Sequence, residues 1–215
     1  MRRFLASTSV VAVVALAAGC GASDDPQATP TASDKATTGP APYSTRQFVV
    51  PFTVDPPSWL PPAPAADEER FLTWVGDGVD VDRAVRFIAP VGIYDPADGG
   101  RRLRPVPGDY VGYLRGLERY GGDISAPTSM EVDGHPATLV TASTTTGLSG
   151  SLGCQERGLA PDDCYGLQDF ALLHIAVMDV DGVTVLAWAR TLPGAAESED
   201  DFAAFEEMLA GLEFR

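Results

Sequence analysis

The sequence is poor in the residues and motifs that most enzyme chemistry requires. It has two histidines, His135 and His174, and three cysteines, Cys20, Cys154 and Cys164. It contains neither a Gly-x-Gly-x-x-Gly motif nor a phosphate-binding loop, the usual signatures of dinucleotide and nucleotide sites. Any Ser-His-Asp triad would have to use one of the two histidines.

Basic residues are also scarce. The chain has 15 Lys and Arg against 30 Asp and Glu, which gives a formal net charge of −15. A chain this acidic is repelled by the phosphates of nucleic acids, so we expect no nucleic-acid partner.

The N-terminal residues predict a lipoprotein signal peptide. Residues 1–3 form a positively charged start, and residues 4–18 form an uncharged apolar run too short to span a bilayer comfortably. This run ends in LAAGC (16–20), which resembles the lipobox of bacterial lipoproteins, where the cysteine thiol accepts diacylglycerol. We therefore predict that residues 1–19 are removed and that a diacylglyceryl group on Cys20 anchors the chain to the outer, extracytoplasmic face of the cell membrane.

The alternative is an ordinary secretory signal in which Cys20 is accidental. Residues 20–46 favour the lipoprotein, because they are mostly Ala, Thr, Ser, Pro and Asp with almost no large apolar side chain. Such a segment cannot offset its ordering entropy and predicts a disordered tether. The remaining residues, 47–215, are enough for a single domain around one hydrophobic core.

Residues 169–190 predict the central hairpin of that domain. Two apolar runs are separated by Asp181-Gly182, a link that suits a turn with positive φ at both central positions. If Val180 pairs with Val183, apolar residues lie on both faces, so both faces must be covered. The predicted faces are Phe170, Leu172, Ala176, Met178, Val185 and Ala187 on one side, and Leu173, Ile175, Val177, Leu186 and Trp188 on the other.

The other periodic segments predict two helices and several strands. One helix covers 109–120, with Asp109 as N-cap; the other covers 198–211, with Ser198 and Asp201 as a near capping box. Strands are expected at 47–54, where Pro51 indicates an edge strand or a bulge, at 71–75, at 83–94 with a break at Pro90, in a segment that ends at Val132, and at 137–144. This order predicts an α+β fold with a mostly antiparallel sheet around the hairpin.

Two of the three cysteines are expected to form a disulfide. If Cys20 is lipidated, Cys154 and Cys164 remain as an even pair in an oxidising compartment. Closing the intervening loop would contribute about 3 kcal/mol in the chain-entropy model. A zinc site would need two further ligands close by, and the histidines are not spaced for that. A reactive thiol is the remaining alternative.

No motif identifies a ligand site, and we predict neither a bound metal nor a cofactor. His174 lies within an apolar run and is expected to be a core or semi-buried histidine bonded to a neighbour, whereas His135 is expected to be a solvated turn residue. The serine-rich stretch 147–153 lacks the Gly-x-Ser-x-Gly spacing of a nucleophile elbow and is expected to be a flexible loop.

Three acidic residues suggest an oxygen-rich cation site: Asp77, Asp80 and Asp82. Their segment lacks the alternating ligands and the closing Glu of a calcium loop. A solvated acidic turn is therefore the expectation for this segment.

Five short motifs occur in a recognisable order: FTVDPPSW (52–59), DYVGYLRGLERY (109–120), VDGHPA (132–137), MDVDG (178–182) and GLEF (211–214). In this order they resemble a group of actinobacterial cell-surface lipoproteins with a PsbP-like α/β/α sandwich. The resemblance implies a non-enzymatic fold used for binding or as an accessory subunit. It transfers no functional residue to this chain.

We therefore expect a membrane-anchored, extracytoplasmic lipoprotein that catalyses nothing and binds an unknown protein partner or small ligand. One alternative is a cell-envelope hydrolase that uses His174 or His135, and another is a purely structural adaptor without a ligand. An apolar cleft beside the sheet would favour ligand binding. A histidine within hydrogen-bond reach of a Ser and an Asp in a cleft would favour the hydrolase, and a flat surface would favour the adaptor.

Overall fold

A computed structural model describes residues 41–76 and 83–215 of the chain. The predicted signal peptide, the lipidated Cys20 and the tether up to residue 40 lie outside the described residues, as do Asp77, Asp80 and Asp82. Of the predicted tether, residues 41–46 are described, and the first strand begins there at Tyr43.

The described residues form short and long strands together with two α-helices. The strands are β1 (Tyr43–Ser44), β2 (Phe52–Val54), β3 (Ala66–Asp67), β4 (Phe71–Val75), β5 (Ala84–Ile88), β6 (Ile93–Tyr94), β7 (Leu103–Arg104), β8 (Gly122–Ile124), β9 (Thr128–Val132), β10 (His135–Thr144), β11 (Leu148–Gly153), β12 (Tyr165–Leu167), β13 (Leu172–Val180), β14 (Val183–Thr191) and β15 (Glu213–Phe214). The helices are α1 (Tyr110–Gly116) and α2 (Ser198–Ala210), with short 3-10 helices at Pro96–Asp98, Leu117–Tyr120 and Pro161–Asp163.

The main sheet is eight-stranded, in the order β3-β4-β5-β14-β13-β10-β8, with β9 also paired to β10. Its strand pairs are antiparallel. Smaller sheets are formed by β1-β2-β15, by β11-β12 and by β6-β7. The fold is α+β with a mostly antiparallel sheet and a central hairpin flanked by two helices, as the sequence predicts.

The hairpin β13–β14 has the predicted register. Val180 pairs with Val183 and Ile175 with Trp188. The turn residues Asp181 and Gly182 have φ of 52° and 82°, as this tight link requires. One assignment is wrong: Phe170 precedes β13 and is 52% exposed rather than buried on a sheet face.

Each face of the main sheet is covered by its own apolar cluster. The first cluster joins the sheet to α2 and β2, and the second joins it to α1 and β11. Representative members of the first are Phe52, Trp74, Phe87, Met178, Val185 and Phe205; representative members of the second are Leu114, Leu152, Ile175, Leu186 and Trp188. The hairpin contributes to both clusters, which is why its strands are apolar on both faces.

The first helix has the predicted start. The Asp109 carboxylate accepts a hydrogen bond from Gly112 N at 2.8 Å, and Gly121 has a φ of 95° after the 3-10 turn that follows α1. A Cβ at Gly112 would come too close to the Asp109 carboxylate in its present position, so a side chain there would require the carboxylate to shift. No helix within the described residues is long and apolar enough to cross a membrane.

The capping box predicted for α2 is wrong. The helix begins at Ser198, its N-cap is Glu197, and no side chain caps it. The Ser198 hydroxyl donates to Ala195 O at 2.9 Å, and the buried Asp201 carboxylate accepts from Arg83 Nε at 2.8 Å. Both side chains are therefore engaged in contacts with residues outside the helix.

The strands differ from prediction in two places. In 47–54 only β2 forms, because Pro51 interrupts the run. The serine-rich stretch 147–153 is not a flexible loop but contains strand β11, paired with β12. Gly150 has a φ of 71°, and a Cβ there would lie 2.8 Å from Tyr94 Cβ, so this glycine permits close packing.

Candidate functional site

Two arginines lie side by side on the α1 face of the main sheet. Arg86 in β5 is directly opposite Trp188 in β14, and Arg190 follows two residues later in the same strand. Side chains alternate along a strand, so all three share one face. Two cations are thereby placed together on one face of the main sheet.

A cleft of about 220 Å³ lies beside these arginines. One side is formed by the sheet residues Arg86, Leu173, Trp188 and Arg190, and the other by the segment 162–168. The lining is polar and carries charges of both signs, unlike the apolar cleft that a lipid-like ligand would need. We call it the arginine cleft.

Arg86 is half-buried within this cleft. Its Nε donates to Thr73 Oγ1 at 3.3 Å, and its guanidinium carbon lies 5.8 Å from the centre of the Tyr165 ring. Burial lowers the pKa of Arg86, and the charge of Arg190 acts in the same direction, while Tyr165 opposes it. No carboxylate in 41–76 or 83–215 forms an ion pair with Arg86. A partly desolvated cation of this kind favours a bound anion.

Arg190 is held more deeply, at 8% exposed. Its guanidinium carbon lies 5.4 Å from the centre of the Phe170 ring, within the range of a cation–π contact. Thr191, the next residue, pairs with Leu172 at the end of the hairpin. The exposed Phe170 therefore stands at the hairpin end nearest the arginine cleft.

The disulfide predicted from the sequence joins Cys154 and Cys164, with their Cα atoms 4.6 Å apart. Cys154 is bonded to the chain just before β6, because its N donates to Gly92 O at 2.9 Å. The loop between the cysteines is fixed as well, since Tyr94 Oη donates to Leu159 O at 2.6 Å. The disulfide thus holds the segment that forms one side of the arginine cleft.

Tyr165 supplies a rigid part of that side. Its ring stacks on Phe71 with centroids 4.7 Å apart and lies 5.6 Å from Trp188. Burial raises the pKa of Tyr165 to about 12, against the opposing effect of Arg86. The phenol is therefore neutral at physiological pH and adds no charge to the site.

His174 is buried and bonded to neighbours, in agreement with the prediction of a core or semi-buried histidine. Its Nδ1 lies 3.1 Å from Thr141 Oγ1, and its Nε2 lies 2.8 Å from Glu206 Oε1. The ring also stacks on Phe202 with centroids 4.9 Å apart. None of the residues that line the arginine cleft belongs to this group. A hydroxyl, an imidazole and a carboxylate are thus in line, but outside that cleft.

His135 does not join His174. It is the first residue of β10, half-buried rather than solvated, and its ring packs edge-on against Phe214 at 5.2 Å. Within the described ranges, no group of three or more His, Cys, Asp or Glu side chains is arranged to hold a metal ion.

The two arginines were missed by motif analysis because neither belongs to a motif. A usable signal was nevertheless present: each is the single charged residue of an apolar strand segment, Arg86 in AVRFI (84–88) and Arg190 in VTVLAWAR (183–190). A charged side chain at such a position is either paired or functional. Of the candidate catalytic, metal-binding and disulfide residues in the sequence, Cys164 alone lines the arginine cleft, and Trp188, which was expected to be a core residue of the hairpin, lines it as well.

No protein-family model matches the chain, and no curated protein does. Among solved structures, CyanoP, the cyanobacterial PsbP of Synechocystis sp. PCC 6803, is 11% identical with a TM-score of 0.43, covering 87% of this chain and 100% of CyanoP. A mutant of the protein Mog1 is 9% identical with a TM-score of 0.43, covering 80% of this chain and 95% of that one.

A protein from Bacteroides thetaiotaomicron VPI-5482 is 12% identical with a TM-score of 0.36, and the match covers 76% of this chain. It covers 45% of that protein, so this chain spans less than half of its length. The α+β class stated above rests on the strands and helices of the chain itself.

Proposed function

We propose that this chain is an extracytoplasmic lipoprotein whose folded part binds an anionic ligand in the arginine cleft without catalysing a reaction. The observation that carries the binding proposal is Arg86, a half-buried cation with no ion pair among the described carboxylates. Arg190 adds a second positive charge on the same face. In a chain with a net charge of −15, two arginines side by side on the sheet mark a place where an anion is favoured.

The anchor is proposed from the sequence. The positively charged start, the short apolar run and LAAGC (16–20) have the order of a lipoprotein signal, as in the actinobacterial cell-surface lipoproteins that the chain resembles. The disulfide between Cys154 and Cys164 supports an oxidising compartment. Together these features favour the outer face of the cell membrane.

Titration with simple anions tests the binding proposal. Acetate and inorganic phosphate should bind the full chain, detected by calorimetry or by chemical-shift changes in residues around the cleft. Arg86→Gln should abolish this binding, because it removes the cation while keeping a polar side chain of similar length. Arg115→Gln is the matched control, since Arg115 is exposed on α1 and lies outside the cleft. Equal binding by wild type and Arg86→Gln would contradict the proposal.

The anchor is tested separately by Cys20→Ala. The variant should be released into the medium or remain uncleaved, because its signal can no longer accept a diacylglyceryl group. Recovery of a normally cleaved variant in the membrane fraction would contradict lipidation.

A hydrolase is a second candidate because Thr141, His174 and Glu206 are joined in line. Two features weigh against it: Phe202 stacks on the imidazole ring, and none of the three side chains lines the arginine cleft. An esterase assay with His174→Gln as the control tests this alternative. Activity that depends on His174 would favour the hydrolase over the binding protein.

A further inference from the structure

We propose that the ligand of the arginine cleft is a small zwitterion of the free α-amino acid class. This inference rests on the proposed anion-binding function and narrows it. The carboxylate would lie at the arginines on the sheet side, and the ammonium would lie at the acidic side chains on the opposite side of the cleft.

The cleft carries charges of both signs on different elements. Arg86 and Arg190 belong to adjacent sheet strands, whereas Asp162 and Asp163 belong to the disulfide-closed loop. A simple anion would be attracted by the first pair and repelled by the second. A molecule with a carboxylate and an ammonium only a few bonds apart complements both pairs.

Neither aspartate is neutralised by a basic side chain within the described residues. Both lie in the 3-10 helix Pro161–Asp163, directly before the disulfide-bonded Cys164. The backbone that carries them is therefore fixed before a ligand arrives. Such preorganisation lowers the entropic cost of binding, because the backbone beneath the two carboxylates does not have to be ordered when a ligand binds.

The size of the cleft agrees with a compact ligand. Its volume of about 220 Å³ lies below the range of roughly 300–1,000 Å³ typical of pockets for drug-sized molecules. Tyr165 and Trp188 also line the cleft and offer apolar surface against which a small side chain can pack. The Gln168 amide, which also lines the cleft, can donate to a carboxylate or accept from an ammonium.

Three related probes separate the two charges: L-alanine carries both, N-acetyl-L-alanine carries only the negative one, and L-alaninamide carries only the positive one. Each is titrated by calorimetry into the full chain, purified in detergent with its disulfide intact. L-alanine should bind at least about threefold more tightly than N-acetyl-L-alanine, because only L-alanine has an ammonium that can interact with the exposed carboxylates of Asp162 and Asp163. L-alaninamide should show no measurable binding, and Arg86→Gln should abolish binding of both carboxylates.

The double variant Asp162→Asn with Asp163→Asn tests the acidic side. In this variant L-alanine and N-acetyl-L-alanine should bind with about equal affinity, because the ammonium loses its partners while the arginines remain. The matched control is Glu118→Gln with Asp123→Asn, which removes the same charge from exposed positions outside the cleft and should keep the preference.

The outcomes distinguish the two proposals. If N-acetyl-L-alanine binds as tightly as L-alanine, or if the Asp162/Asp163 double variant keeps the preference, the zwitterion proposal is wrong and the anion site stands. If L-alanine, N-acetyl-L-alanine, acetate and phosphate all fail to bind the folded wild-type chain, the anion-binding function is itself wrong.

Discussion

His174 Nε2 lies 2.8 Å from Glu206 Oε1, so a side chain of the central strand β13 is bonded to the helix that covers it. On the other side of the ring, Nδ1 lies within reach of Thr141 in β10. The imidazole therefore links two strands of the main sheet to α2. A polar link of this kind fixes the position of the helix on an otherwise apolar face.

The contribution of this link to stability is expected to be small. The Glu206 side chain is 49% exposed, and a contact at such a position contributes less than about 1 kcal/mol, so Glu206→Ala should lower the free energy of unfolding by no more than that. Phe205→Ala should cost about 3–5 kcal/mol, because Phe205 is fully buried. Urea unfolding of both variants checks the contrast. A loss with Glu206→Ala as large as that with Phe205→Ala would contradict it.

Ile175→Asp tests the central hairpin as the core of the fold. Ile175 is fully buried in β13, so the variant would place a carboxylate where neither water nor a partner can reach it. The cost of several kcal/mol is a large fraction of the stability of a domain, and we expect loss of the cooperative melting transition. Leu192→Asp, at a 40% exposed position just after β14, is the control and should melt close to wild type. Similar melting of both variants would show that the hairpin is not the core.

Replacing both Cys154 and Cys164 by Ser should lower the free energy of unfolding by about 3 kcal/mol, because the reduced loop gains entropy in the unfolded chain. Thermal melting of the oxidised wild type and the double variant measures the difference. The oxidised chain should also resist alkylation at both positions. Two thiols that react without reductant would rule out the disulfide.

Ionisation of Tyr165 is expected to lower the free energy of unfolding at high pH. Its pKa in the folded chain is about 12, above the ordinary value of 10.0, because burial favours the neutral phenol. The stabilisation is therefore complete below about pH 10 and is lost as the pH rises through about 12. The decline between those values should be smaller in Tyr165→Phe than in wild type, as measured by urea unfolding and by phenolate absorbance. Equal declines would show that Tyr165 titrates normally.

The hairpin could be predicted in detail because its determinants are local. Asp181 and Gly182 define the turn, and the turn sets the pairing of Ile175 with Trp188, which lie six residues before Asp181 and six residues after Gly182. Asp109 likewise sets the start of α1 through a contact with Gly112 only three residues on. In both places the decisive contact is short in sequence.

The arginine cleft could not be predicted because its determinants are distant in sequence. Arg86 and Arg190 meet only through the pairing of β5 with β14. The opposite side of the cleft depends on strand β11, which was expected to be a loop because its glycines and serines indicate flexibility. In the fold, Gly166 of β12 lies so close to Leu148 O that a Cβ would collide with it, so glycine there reflects close packing.

One end of the main sheet is the two-residue strand β3 (Ala66–Asp67), and the other end is formed by β8 (Gly122–Ile124) and β9 (Thr128–Val132), which both pair with β10. An unpaired strand edge can recruit another chain, and short edge strands limit the backbone that is offered for this. The long strands β13 and β14 lie inside the sheet, because β13 also pairs with β10 and β14 also pairs with β5. Intermolecular β-pairing through the two longest apolar strands is therefore disfavoured by the sheet itself, even where many copies of the protein are crowded together.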